Sequence, residues 1–175
     1  MKIINRNGEI ETLDLSKIVE RIKKARSYCG NDLNVDIDVV AIKVIRKITD
    51  NITTSQLDDI TGKVCINMSI NHPDWGFLGS RIIMNNHKKN VKVCFSEAME
   101  KLYHNNGHSP LVSHDLIETV RQHKQFFDEL THQFSDNDYL IDYFGFKTLE
   151  RAYFLRENTT DVGCSQTIEE WENTD

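Results

Sequence analysis

Apolar positions are spaced in two ways along this chain: first as short β-branched segments, then with helical periodicity. Ile3 and Ile4 precede the dipeptide Asn7-Gly8, and Ile10, Thr12 and Leu13 follow it. Asn-Gly tolerates the positive φ of a type I′ turn, so a β-hairpin is expected from Lys2 to Leu13. Asp14 or Ser16 can cap the helix that follows, whose Ile18, Ile22 and Ala25 share a face until Gly30 stops it. Ile37, Val40, Ala41, Val44 and Ile48 predict a second helix. Thr54 or Ser55 caps a third, with the stripe Leu57, Ile60, Val64 and Met68. Pro73 suits a first helical turn, and Trp75, Leu78, Ile82 and Ile83 carry a fourth helix to about Lys89 or Val93. A hairpin plus four helices would close one compact unit near residue 93.

Beyond that point Ser96 begins a helical stretch with Ala98, Met99, Leu102 and Tyr103, broken by Asn105-Asn106-Gly107. Ser113 caps the next, which carries Leu116, Val120, Phe127 and Leu130. The last periodic segment runs from Tyr139 to Leu155, with Phe144, Phe146, Leu149 and Tyr153 available for burial. These apolar faces need partners that the remaining tail does not supply, so the second unit, over residues 94–157, reads as partial. Residues 158–175 are expected to be a divergent, disordered tail. The fold class is mainly α.

Composition narrows the function classes. Of 175 residues, 39% are hydrophobic and 27% charged, a globular balance. There is no apolar run of membrane-spanning length and no signal-peptide pattern, so a cytoplasmic protein without a membrane partner is expected. Cys29, Cys65, Cys94 and Cys164 are scattered without a C-x-x-C pair, which disfavours a zinc ribbon or a disulfide framework. A formal charge of -6 argues against a general nucleic-acid binder. Residues 1–30 nevertheless carry seven cations (Lys2, Arg6, Lys17, Arg21, Lys23, Lys24, Arg26) against four anions (Glu9, Glu11, Asp14, Glu20). A small polyanion can dock there.

Several motifs favour their bland readings. Gly62-Lys63 lacks the upstream glycine of a P-loop, since Leu57 stands there, and Gly62 reads instead as a close helix packing point. No histidine falls into a metal-ligand spacing, so no metal site is expected, and His72 and His87 read as surface or cap residues. Asp136, Asp138 and Asp142 near Glu150 suit a solvated loop and helix start better than acid–base chemistry. Phe126-Phe127 and Tyr143-Phe144-Gly145-Phe146 fit a core better than base stacking. No catalytic nucleophile is evident. The best local constellation is Arg6, Glu11, Asp14 and Lys17, across the hairpin and the first helical turn. Cations at a helix N-terminus hold phosphates well, and a carboxylate beside them can accept an adenine amino or a ribose hydroxyl hydrogen. The alternative is that all four are ordinary solvent-facing charges, and spacing alone leaves both open.

A resemblance extends this reading. Ile3-Ile4-Asn5-Arg6-Asn7-Gly8, then Leu15-Ser16-Lys17-Ile18 and Arg21-Ile22, resemble the start of an ATP cone. Further matches are Ile52-Thr53-Thr54 with Leu57-Asp58, His72-Pro73-Asp74-Trp75, and Leu78-Gly79-Ser80-Arg81-Ile82. His108-Ser109-Pro110-Leu111-Val112 and the long motif Tyr143-Phe144-Gly145-Phe146-Lys147-Thr148-Leu149-Glu150-Arg151-Ala152-Tyr153 are similar to the helical domain of class I ribonucleotide reductase large subunits of the eukaryotic and viral type. The resemblance covers about residues 1–157.

It implies an ATP cone over residues 1–93, a hairpin plus four-helix bundle, followed by the start of the reductase's helical domain. It further implies an allosteric site for ATP or dATP, with Mg2+, that controls nucleotide-dependent self-association. Arg6, Lys17, Thr54 and Lys89 would contact phosphates, Glu11 with the Thr12, Leu13 and Asp14 backbone would receive adenine, and Asp58 would sense the ribose. Asn5 replaces a lysine usual in the family. The family's catalytic cysteines lie downstream of residue 175 and none of the four cysteines here matches them, so the chain by itself is expected to be inactive and to hold no redox cofactor. Its expected partners are the remainder of a large subunit and, indirectly, a radical-generating small subunit. Two other readings stay open: a stand-alone regulatory module acting on a separately encoded reductase, and an ATP-cone transcriptional repressor, which the missing C-x-x-C pairs disfavour.

Overall fold

The computed structural model describes residues 2–28, 33–91 and 93–155. Gly30, Cys29, Cys164 and the tail 158–175 lie outside the described residues. These group into two compact units, one formed by 1–92 with 130–154, the other containing 93–129.

In the first unit, β1 (Lys2–Ile4) and β2 (Ile10–Thr12) pair antiparallel with Ile4 opposite Ile10. The hairpin forms, but not through a type I′ turn, which needs positive φ at both central residues. Gly8 alone in this turn has it (φ 85°), and the turn spans Asn5 to Gly8, closed by the Gly8 N–H on the Asn5 carbonyl at 3.1 Å. The reason is Asn5, whose Oδ1 accepts the N–H groups of Asn7 (2.9 Å) and Glu9 (3.0 Å). A third strand, β3 (Ile52–Thr53), adds parallel to β1 with Ile3 opposite Ile52. Asn51 enters it in the left-handed region (φ 63°), and its N–H donates to the Lys2 carbonyl at 2.9 Å.

Asp14 caps α1 (Leu15–Arg26), its Oδ1 accepting the Ser16 N–H at 2.9 Å. The carbonyls that end α1 find a donor in Arg81, whose Nη1 reaches Arg26 O at 2.6 Å. α2 (Ile37–Ile45) stops short of Ile48, which is buried beyond its end. The cap of α3 (Thr54–Met68) is Thr53 rather than Thr54 or Ser55. Thr53 Oγ1 accepts the Gln56 N–H while Gln56 Oε1 accepts the Thr53 N–H, a reciprocal capping box that leaves Thr54 as the first helical residue. α3 packs on α4 (Pro73–Val91) at Gly62 and Gly79: a Cβ on Gly62 would stand 2.5 Å from Ile83 Cγ1, and one on Gly79 3.0 Å from the Gly62 carbonyl oxygen. Ile3, Ile18, Ile22, Val40, Val44, Leu57, Cys65 and Leu78 form the core that these elements share.

The chain returns to this unit after residue 130. α8 (Tyr143–Ala152), capped by Asp142, buries Phe146 against Ile83 and Met84. It starts later than the periodicity suggests, because residues 135–140 wind as a 3-10 helix. Phe144 and Tyr153 stay exposed. Lys88 of α4 pairs with Asp138 at 3.1 Å, lies 4.3 Å over the Tyr139 ring and donates to the Ser135 carbonyl. Asp138 and Asp142 therefore serve as an ion-pair partner and a helix cap.

In the second unit, α5 (Phe95–His104) ends at Asn105 in the left-handed region (φ 41°). Ser113 caps α6 (His114–Gln122), which buries Ile117 and Val120. The expected single helix beyond Ser113 is two, since His123 (φ -121°, ψ 31°) breaks it before α7 (Lys124–Gln133). Asp128 accepts the N–H (2.8 Å) and hydroxyl (2.7 Å) of Ser96, and Arg121 holds Glu100 with two bonds of 2.6 and 2.7 Å.

Candidate functional site

The hairpin, α1 and the amino end of α3 enclose a cleft of about 200 Å³. Asn5, Arg6, Glu11, Leu13, Asp14, Lys17 and Thr54 line it, so the structure brings together seven of the ten residues named from the sequence. Thr12, on β2, lines neither this cleft nor its neighbour. Asp58 and Lys89 line that neighbour, a narrow groove between α1, α3 and α4. Ile18, Arg21 and Leu57 border both hollows.

At the hairpin end, Glu11 Oε1 accepts Asn5 Nδ2 at 2.8 Å and Oε2 faces Lys17 Nζ at 3.4 Å. The Asn5 hydrogen bond, followed by Lys17, holds the Glu11 carboxyl below its ordinary range, so it is an ionised acceptor. Asn5, which stands where the resemblance calls for a cation, thus organises the turn and orients Glu11. At the opposite end, Asp58 is 6% exposed and bridges two arginines: Oδ2 accepts Arg6 Nη2 at 3.3 Å and Oδ1 accepts Arg21 Nη1 at 3.3 Å. Arg6 is fixed further by Asn86 Oδ1 (2.5 Å, from Nη2) and Asn90 Oδ1 (3.2 Å, from Nε). Asn86 is buried and donates Nδ2 to Ser55 O and Asp59 Oδ1, each at 3.1 Å, which ties Arg6 to α3 and α4 together.

Lys89 is half-buried. Burial, opposed by the Asp58 charge and reinforced by Arg21, Arg6 and Lys24, pushes its ammonium below the usual lysine range. Positive charge therefore exceeds negative around Asp58, and the amino end of α3, where Thr54 opens on the cleft, adds the positive end of a helix dipole. Such a site attracts a polyanion, while Glu11 offers an acceptor at the far end. Arg21 counts among the amino-terminal cations of the sequence but has no site role there, and Asn86 is not singled out in the sequence at all. Arg21 stands four residues after Lys17 and so on the same helix face, a usable signal; Asn86 has none. His87, expected at the surface, instead stacks on Phe154 (5.1 Å) and meets Phe146 edge-on (5.3 Å), because the returning segment covers it.

Among the described residues no group of three or more His, Cys, Asp or Glu is placed to hold a metal ion, and no helix is long and apolar enough to cross a membrane. Hairpin, helical bundle and cationic cleft define a small, mainly-α module. The chain belongs to the ATP cone domain family, whose model matches residues 1–90. It is similar to the "Ribonucleoside-diphosphate reductase large subunit" of Arabidopsis thaliana, 39% identical over 168 residues, covering 93% of this chain and 20% of that protein. The same-named protein of Variola virus is 35% identical over 167 residues, covering 93% and 21%. The "Ribonucleoside-diphosphate reductase large chain" of Neurospora crassa is 37% identical over 163 residues, covering 89% and 17%. The chain spans about a fifth of the length of the curated relatives it matches.

Proposed function

We propose that this chain is the allosteric nucleotide-sensing region of a ribonucleoside-diphosphate reductase large subunit, with the cone over residues 1–93 and the start of a helical domain over 94–157. The observation that carries the reading is the cleft with its adjoining groove, Glu11 lining the one and Asp58 and Lys89 the other, with Arg6 and Arg21 paired to Asp58. ATP or dATP, with Mg2+, is the effector in this reading. Arg6, Lys17, Lys89 and the amino end of α3 at Thr54 take the phosphates, and Glu11 with the Leu13 and Asp14 backbone takes the adenine amino group. Asp58 reads the ribose, because ATP and dATP differ at the 2′ position and a carboxylate accepts a hydroxyl hydrogen bond. Partners are the remainder of the large subunit, further copies of it in nucleotide-dependent assemblies, and indirectly the radical-generating small subunit, in the cytoplasm.

The test is paired ATP and dATP calorimetry with light scattering, on wild type and Asp58→Asn. Both nucleotides should bind wild type, and Asp58→Asn should shrink the difference between them in affinity or in assembly. A coupling of about 1 to 3 kcal/mol between nucleotide identity and assembly is enough to switch an oligomer. Absence of binding to wild type would overturn the whole reading, and an unchanged ATP-to-dATP ratio and assembly response in the variant would remove Asp58 as the sugar sensor.

A further inference from the structure

Arg21 has a different environment from Arg6. Three side chains fix the Arg6 guanidinium: Asp58, Asn86 and Asn90. Arg21 is paired with Asp58 Oδ1 at 3.3 Å and keeps about a third of its side chain in solvent, at the border of both hollows. The two Asp58 contacts are long for charge-assisted hydrogen bonds, which centre near 2.7–2.9 Å. One carboxylate is thus shared loosely between two guanidiniums. The Lys89 ammonium lines the same groove and among the described residues has no ion-pair partner of its own.

We propose that Arg21 is a phosphate-binding residue that Asp58 holds in reserve, so that a polyphosphate entering the cleft draws Arg21 away and frees Asp58 for the sugar. The inference rests on the nucleotide reading above and deepens it. A polyphosphate carries several negative charges against one on Asp58, and guanidinium forks match phosphate oxygens two at a time. It also meets Lys89, whose charge burial disfavours, with the neighbouring cations adding to it, and a polyanion would favour. Because Oδ1 and Oδ2 each hold an arginine, drawing Arg21 to the phosphates leaves Oδ1 a stronger acceptor for the ribose. The competing account is that Arg6, Asp58 and Arg21 simply brace α1 against α3.

The probe is inorganic tripolyphosphate, titrated calorimetrically into the full chain alongside ATP, with thermal melts of every variant. If the inference is right, Arg21→Gln weakens tripolyphosphate binding about tenfold or more, and Asp58→Asn tightens it because the internal competitor is gone. If Arg21→Gln is folded and binds tripolyphosphate as wild type does, the cluster is a brace, and the inference falls while ATP binding by wild type keeps the nucleotide reading. Should Arg21→Gln fail to fold, Asp58→Asn decides: tighter tripolyphosphate binding supports the inference, and equal or weaker binding overturns it. Wild type that binds neither ATP nor tripolyphosphate sinks both readings together.

Discussion

Replacing Gly62 with alanine tests how closely α3 and α4 must approach. The added methyl would lie 2.5 Å from Ile83 Cγ1, 2.6 Å from Ile83 Cδ1 and 3.4 Å from the Gly79 carbonyl oxygen. Carbon atoms in contact prefer about 3.5–4.0 Å, so the overlap with Ile83 is on the order of 1 Å. Ile83 cannot easily yield, being 2% exposed, β-branched and packed with Met84 and Phe146. Overpacking of this kind costs about 1–3 kcal/mol, and the better helix propensity of alanine returns about 1 kcal/mol. The net loss is about 0–2 kcal/mol, which at roughly 2–4 °C per kcal/mol for a chain of this size lowers Tm by up to several degrees. Gly76 is the internal control: its Cβ would meet Ser69 Cβ at 3.5 Å, an ordinary contact, so Gly76→Ala should raise Tm slightly. Differential scanning calorimetry of the two variants measures both signs. A Gly62→Ala protein more stable than Gly76→Ala would refute the steric account. Because Asp58 lies one turn before Gly62 and Lys89 lies on α4, Gly62→Ala should also weaken nucleotide binding.

Three further outcomes follow from the cleft and the core. Lys89→Ala should weaken ATP binding about tenfold or more and Lys17→Ala by less, since Lys89 is half-buried whereas the Lys17 side chain is 60% exposed and its pair with Glu11 is screened; equal calorimetric losses would contradict this ranking. The depressed Lys89 pKa means that the free protein binds fewer protons than the unfolded chain between that pKa and the ordinary lysine value, so this group's destabilising effect, full at lower pH, fades as pH rises through that window. Phosphate would raise that pKa again, so ATP binding under alkaline conditions should take up protons, measured by calorimetry in buffers of different ionisation heat; a buffer-independent heat there would argue against a Lys89–phosphate contact. Burial pushes the Cys65 thiol up to about 12, while Cys94 is exposed, so iodoacetamide should label Cys94 in the native protein and Cys65 only on unfolding, read by peptide mass spectrometry.

Much of the first unit could be read directly from local chemistry. Asn7-Gly8 points to a hairpin and Asp14 or Ser16 to a helix cap, of which the structure uses Asp14, because both act through neighbours in sequence. The details that failed depend on partners far along the chain or on shifts of one residue. β3 has two residues, too few for any periodicity, and exists through its pairing with Ile3 and Ile4. The cap at Thr53 is legible as Thr53-Thr54-Ser55-Gln56, a capping box one position before the expected Thr54. The break at His123 carries neither Gly nor Pro, and Val120 to Phe127 continues helical spacing across it, so the apolar pattern hides it. In the cleft, charge and helix-end arguments picked out Arg6, Glu11, Asp14 and Lys17. The resemblance was needed for Thr54, Asp58 and Lys89, and the ion pairing of Asp58 with Arg21 and the reach of Asn86 emerged only from tertiary structure.

One turn at the end of α4 has work on every side. Asn86 holds Arg6 and Asp59, His87 sits between Phe146 and Phe154, Lys88 grips Asp138 and Tyr139, and Lys89 faces the groove beside Asp58. Successive helical residues point about 100° apart, so four neighbours cover the whole circumference. That stretch of helix behaves like an axle: a twist imposed where Lys89 lines the groove and Asn86 holds Arg6 would turn Lys88 and His87 by the same angle. The groove beside Asp58 and the segment from residue 135 to 154 thus take their contacts from opposite sides of the same turn of α4.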